Sequence, residues 1–345
     1  MDIKDRSIIV IGTGAVGGII AAAFSRAGYN IETVCKHEDY VDIASSRGLK
    51  VSSKKEKYTQ VVRAYARIEE VKNKRDIIFL AVKATDLEDI AKRMKHVLSE
   101  ESLVVAMQNG IVEYELGNIV GKHRLVSCIV GWGATMNEPG NLEMTSTGEF
   151  IIGSFDKTCE GRLGEIATLL EEVAPVNISS NIIGDRYSKL IVNSCITSLG
   201  AVSGLYLRDM LNRRKARLLF IEIINEAMEL AYVMRINVEP FAGKLNFYEF
   251  LRKKGWMATL KRHTTIRLMG FRFRRLKSSS LQSLQKGRVT EIDYLNGFIA
   301  SNGKELGVPV PVNSEITRMI HEIEEGKRKI TPHNFDDKVF DNYYH

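Results

Sequence analysis

The sequence predicts an α/β protein of two domains, a doubly wound sheet over residues 1–183 followed by an all-helical domain over residues 184–345. Three observations lead there. Residues 7–11, Ser-Ile-Ile-Val-Ile, form an unbroken, largely β-branched apolar run, the pattern of a strand buried on both faces of a parallel sheet. Further apolar runs recur at intervals that helices can fill, and alternation of this kind builds a parallel sheet. Beyond about residue 184 the strand signal stops and helical periodicity takes over. A chain of 345 residues also exceeds what a single buried core usually supports.

Taken in order, the first strand runs directly into Gly12-Thr13-Gly14-Ala15-Val16-Gly17-Gly18 and then into a helix of small residues that closes at Gly28, a natural left-handed cap. Strands are predicted at 31–35, 76–82, 103–107 and 125–130. Residues 141–153 read as a hairpin and 162–173 as a helix. The helical half divides into 186–204, 207–235, the basic stretch 251–277, 279–306 and 313–325, with Pro309 and Pro311 in the last turn. No internal repeat is visible.

Composition narrows the class. With 44% apolar and 26% charged residues and only 6 prolines, the chain has the make-up of a protein folded almost throughout. Cys35, Cys128, Cys159 and Cys195 show no CxxC or zinc-ligand spacing, so no metal site is expected and reduced thiols in a cytoplasmic protein are. No membrane span is expected: glycines interrupt the apolar stretch 7–24, and 218–234 contains Glu222, Glu226 and Glu229. That long apolar helix is a candidate either for the helical core or for a homodimer contact.

The formal charge of +7 is concentrated in residues 251–277, which carry ten basic residues and no acid, interleaved with Trp256, Leu260, Ile266, Leu268, Met269, Phe271 and Phe273. Two readings stay open, a solvated basic face on amphipathic helices or attraction of anionic ligands. No nucleic-acid motif accompanies the charge and no membrane span is expected, so neither nucleic acid nor membrane is expected as a partner.

In a GxGxxG turn the first glycine allows the tight bend, the second lets the backbone approach a pyrophosphate, and the third allows close packing of helix on strand. Its place directly after a buried strand and before a helix makes Gly12, Thr13, Gly14, Ala15, Val16 and Gly17 candidate dinucleotide-binding residues. At the end of the second strand, where an acidic residue usually marks NAD, the chain has Cys35-Lys36-His37. A cation there suits the 2′-phosphate of NADPH; Glu38 on the ribose, with Lys36 merely solvated, is the alternative.

Two segments of the helical half hold polar residues amid apolar ones. Lys189 and Asn193 stand four apart and share a helix face, and Glu291 and Asp293 are predicted to open a helix with an apolar stripe at Ile292, Leu295 and Ile299. A carboxylate at a helix start needs no function to explain it.

These blocks, together with Val82-Lys83-Ala84, Gln108-Asn109-Gly110, Gly133-Ala134 with Pro139-Gly140, the Ser279 segment, Lys286-Gly-Arg-Val-Thr-Glu-Ile-Asp293, Asn296-Gly297 and Gly307-Val-Pro-Val-Pro-Val-Asn313, resemble the ketopantoate reductase (2-dehydropantoate 2-reductase) family, in consistent order over nearly the whole chain. The resemblance implies a Rossmann-type NADP-binding domain and reduction of a 2-keto acid by hydride from NADPH in an interdomain cleft. It makes Lys189 the general acid and Glu291 the group that orients it and bonds the new hydroxyl. Asn109, Asn193, Thr197 and Ser279 would hold the substrate, while Lys83, Asn109, Ala134 and Glu291 would border the cofactor.

Departures bear on the substrate. Tyr187 replaces the family's usual Trp, Thr197 stands where a second Asn is usual, and Ser283 replaces an Asp after the serine. Ketopantoate leads, giving pantoate for pantothenate and coenzyme A synthesis, and another 2-keto acid is the alternative. A β-hydroxyacid dehydrogenase also sets Lys and Asn four apart, but its glycine-rich substrate segment is missing. A non-catalytic NADP-binding sensor would lack Lys189 or Glu291, and both are present.

Overall fold

The computed structural model describes residues 2–36, 38–253, 255–274 and 276–344; His37, Lys254 and Arg275, which belong to patterns read above, lie outside them. The chain forms two compact units, Met1–Ile182 and Ile183–His345.

The first unit contains strands β1 (Ile8–Ile11), β2 (Ile31–Val34), β3 (Leu49–Ser52), β4 (Lys57–Gln60), β5 (Arg63–Tyr65), β6 (Arg75–Leu80), β7 (Leu98–Ala106), β8 (Leu125–Val130), β9 (Ala134–Glu138), β10 (Asn141–Met144), β11 (Phe150–Ser154) and β12 (Val176–Ile178). Eight of them form one sheet in the order β12-β11-β8-β7-β6-β1-β2-β5. From β8 to β5 all neighbours are parallel, and only β11 runs against β8. The centre is β1, whose four residues are all buried because helices cover both faces; Ile8 registers with Ile31 on one side and Ile77 on the other. The chain winds outward from β1 first through β2 and β5, then in the other direction through β6, β7 and β8. That reversal leaves a crevice at the carboxyl ends of β1 and β6, where open α/β sheets bind ligands.

A second sheet, β4-β3-β10-β9, packs on the helix Ala15–Arg26: a Cβ at Gly18 would lie 2.6 Å from Leu142 of β10. This corrects the predicted hairpin at 141–153. The hairpin is β9-β10, turning at Gly140 with φ +76°, and Phe150–Ser154 leaves it to bury Phe150 and Ile152 against β8.

The second unit is helical: Ile182–Ser203, Leu207–Asn212, Arg214–Val233, Phe247–Arg252, Trp256–Arg272, Ser279–Gln285, Asn296–Leu306 and Pro311–Glu324. The predicted helix 207–235 breaks at Arg213, whose backbone is extended. The predicted helix 279–306 is interrupted at Gly287 (φ +62°) and by the single turn Ile292–Tyr294, so Glu291 precedes a short 3-10 turn rather than opening a long helix. Leu219, Phe220, Ile223, Ala227 and Leu230 of Arg214–Val233 are buried, which makes that helix core. Among the described residues no helix is long and apolar enough to cross a membrane.

Candidate functional site

In the first unit, the glycine turn shows why each glycine is needed. At Gly12, φ is +99° and a Cβ would sit 2.5 Å from the backbone nitrogen of Val82; at Gly17 it would sit 2.2 Å from the Gly12 carbonyl oxygen. Those two glycines permit packing of the turn on β6 and of the helix on the turn. Gly14 differs, because a Cβ there would meet nothing within 4 Å. It caps Ala15–Arg26 without a side-chain bond, and the first turn holds no acid, so neither the cap nor the first turn offsets the positive field of the amino-terminal N–H groups. That cradle fits the pyrophosphate of a dinucleotide.

Thr13 points the other way. Its buried hydroxyl lies 2.9 Å from the Val34 carbonyl, 2.8 Å from Thr33 Oγ1 and 3.0 Å from the Cys35 thiol, pinning the turn to β2. Burial pushes the Cys35 thiol up to about 11, which leaves it an inert packing group. Lys36, one residue on, is exposed and stands 3.6 Å from Asp86.

Lys83 follows β6 and is exposed; Asn109 follows β7 and is half-buried. Gln108 links their loops, its side-chain amide donating to the carbonyls of Leu80 (2.9 Å) and Val82 (3.1 Å). The carboxyl ends of four neighbouring strands, β7, β6, β1 and β2, thus carry Asn109, Lys83, the glycine turn and Lys36. Ala134 is half-buried at the start of β9 in the second sheet.

In the second unit, Lys189 and Asn193 are half-buried positions on Ile182–Ser203, set among buried Tyr187, Ser188, Leu190, Ile191, Val192, Ser194 and Cys195. Thr197 continues the four-residue step and is buried. Tyr187 is packing: its hydroxyl donates to the Ala227 carbonyl at 2.8 Å, docking this helix on Arg214–Val233. Glu291 is half-buried, and Ser279 is exposed in the first turn of its helix. Both serines beside it, Ser278 and Ser280, are buried; Ser278 caps that helix by accepting from Leu281 N (3.2 Å) and lies where a Cβ on Gly200 would be 2.8 Å from its Oγ. A glycine inside a helix costs about 1 kcal/mol relative to alanine, and Gly200 was the sequence signal for this close approach.

Sequence reasoning missed a buried polar chain behind this face. Ser198 Oγ donates to Asn296 Oδ1, Asn296 Nδ2 to Asn313 Oδ1 (2.9 Å), and Asn313 Nδ2 to Glu226 Oε2 (2.6 Å). Glu226 also accepts from Val312 N (2.7 Å) and Asn313 N (2.9 Å), capping Pro311–Glu324. Four helices are joined by these bonds, including the one bearing Lys189.

Burial outweighs those donors and pushes the Glu226 carboxyl up to about 7. Between the ordinary carboxylate range and about 7 the folded protein therefore holds a proton that the unfolded chain has lost. The stability this contributes is complete below the unfolded value and is lost as pH rises through about 7. Unfolding midpoints should accordingly fall from pH 5 to pH 8 more steeply in the parent than in Glu226→Gln, whose amide does not titrate, and parallel slopes would show that Glu226 does not titrate there.

Family models for ketopantoate reductase PanE/ApbA match residues 8–157, and for its C-terminal part residues 181–324. The 2-dehydropantoate 2-reductase of Pyrococcus abyssi is 27% identical over 327 residues, covering 93% of this chain and 99% of the relative. That of Aquifex aeolicus is 25% identical over 316 residues, covering 90% and 95%. Among solved structures, a PanE/ApbA family ketopantoate reductase from Ralstonia eutropha superposes with a TM-score of 0.78 at 24% identity, over 93% of this chain and all of that one. A D-mandelate dehydrogenase with NADH and anilino(oxo)acetate gives 0.80 at 21%, over 93% and 99%. With both halves matched in order along most of its length, the chain belongs to the ketopantoate reductase family and is an oxidoreductase of the 2-dehydropantoate 2-reductase type.

Proposed function

We propose that this chain reduces 2-dehydropantoate to pantoate with NADPH, in the cytoplasm, as a step toward pantothenate and coenzyme A. The observation that carries the reading is the face of Ile182–Ser203 on which Lys189 and Asn193 stand half-buried between buried neighbours, in a chain of this family. A bound nicotinamide dinucleotide supplies the hydride.

Lys189 holds its ammonium toward the substrate carbonyl, offsets the negative charge that grows on oxygen, and delivers the proton. Glu291 orients Lys189 and accepts from the hydroxyl as it forms. Asn193, Thr197, Ser279 and Asn109 position the keto acid. The backbone of residues 12–17 holds the pyrophosphate, Lys83, Asn109, Ala134 and Glu291 border the dinucleotide, and Lys36 reads its 2′-phosphate.

A second reading keeps the chemistry and changes the substrate to another 2-keto acid. It is favoured by Thr197, a threonine where the family usually has asparagine, and by the likeness to a dehydrogenase solved with NADH and an oxoacetate. Oxidation of NADPH with ketopantoate and a panel of 2-keto acids separates the two. Turnover of ketopantoate above all others supports the first, turnover of another acid with ketopantoate ignored supports the second, and no turnover with any refutes both.

In the same assay Lys36→Glu should lower the NADPH-to-NADH ratio of kcat/KM by about tenfold, since an exposed attraction of ~1 kcal/mol is replaced by repulsion. An unaltered ratio would pass the role to another residue.

A further inference from the structure

We infer that the helix Trp256–Arg272 and its flanking turns form a docking face for an anionic lipid bilayer. Only Ile266 and Gly270 of this helix are buried, against Leu207–Asn212, where a Cβ at Gly270 would lie 3.1 Å from Leu211. Its solvent-facing side carries large apolar residues: Trp256 is 75% exposed, Leu268 63% and Phe271 62%, with Met257, Leu260 and, just past the helix, Phe273 also exposed. At 100° per residue, positions 257, 260, 264, 268 and 271 fall along one side of the helix. A contiguous apolar surface of this kind marks an interaction site.

The charges around it name the partner's chemistry. Residues 251–277 contain no acid. Arg262 is consumed internally, donating to the carbonyls of Phe250, Leu251 and Lys253. Lys253, Lys261, Arg267, Arg272 and Arg274 are exposed cations outside every recorded ion pair among the described residues, and exposed Arg208 on the adjoining helix lies over the Phe271 ring. A second copy meeting this face through its own would oppose cation to cation. Nucleic acid would satisfy the cations and leave Leu260, Leu268 and Phe271 in water. An anionic bilayer takes both: Lys and Arg reach the phosphates while Trp, Met, Leu and Phe enter the acyl boundary, with the helix lying in the interface plane. The lack of a spanning helix, which set aside a membrane partner at the sequence level, has no bearing on a surface-bound one.

The two tryptophans provide the readout, because Trp132 is buried and only Trp256 faces solvent. The full chain is mixed with vesicles of phosphatidylcholine, or of phosphatidylcholine and phosphatidylserine in equal parts. Expected are co-sedimentation and a blue shift of emission with the mixed vesicles only, both reversed by salt. Leu260→Ser/Phe271→Ser and, separately, Lys261→Glu/Arg267→Glu should each weaken binding by about tenfold or more, with keto-acid turnover retained. No binding to mixed vesicles, or binding by either double variant undiminished from that of the parent, overturns the inference. So does duplex DNA binding that survives Leu260→Ser/Phe271→Ser, or a concentration-dependent dimer that this variant abolishes; these assign the face to nucleic acid or to a second copy.

Discussion

Lys189→Ala is expected to lower turnover by about 10²-fold or more, because the substitution removes at once the proton donor and the positive charge proposed to face the developing alkoxide. The loss should fall on kcat, measured with saturating keto acid and NADPH, while KM for NADPH stays near the parent value. Lys189 is half-buried on a helix held to the core by Tyr187, Leu190, Ile191 and Cys195, and alanine is the best helix former, so the unfolding midpoint should hardly move. Turnover equal to the parent would remove Lys189 from the chemistry while leaving fold and family untouched.

Asn313→Leu should have the largest effect on stability. Asn313 is wholly buried, accepts from Asn296 and donates to Glu226, so an isosteric apolar side chain leaves the Asn296 amide donor without its acceptor and takes one of three donors from the Glu226 carboxyl, which keeps the backbone N–H groups of residues 312 and 313. Leaving one buried amide donor unpaired costs about 1–3 kcal/mol. In a unit of this size that lowers the unfolding midpoint by on the order of 5 °C. A shift within a degree or two would mean that the helices are held by apolar packing alone.

Where the sequence spoke plainly, a local cause sufficed. β1 is apolar along its length because both its faces are covered, and the glycine turn repeats a spacing that sterics impose on adjacent residues. The four-residue step from Lys189 to Asn193 corresponds to two half-buried positions on one helix, since that step is the helix's own geometry. Elements with distant causes were hidden. β3 and β4 are four residues each with partly exposed, alternating faces, and β3 pairs with β10 some ninety positions away in sequence, as the Ser52–Leu142 bond illustrates. The break at Arg213 carries no glycine or proline. Glu226 read only as a charge interrupting an apolar run, because its partners Val312 and Asn313 lie 86 and 87 residues on.

All four cysteines are free and buried, three in the sheet unit and Cys195 alone in the helical one. A thiol reagent can then modify Cys195 only when the helical unit opens, and burial raises the cost of the reactive thiolate further. In a background where Cys35, Cys128 and Cys159 are serine, the labelling rate of that one sulfur becomes a clock for local opening of the helices, separate from any motion of the sheet.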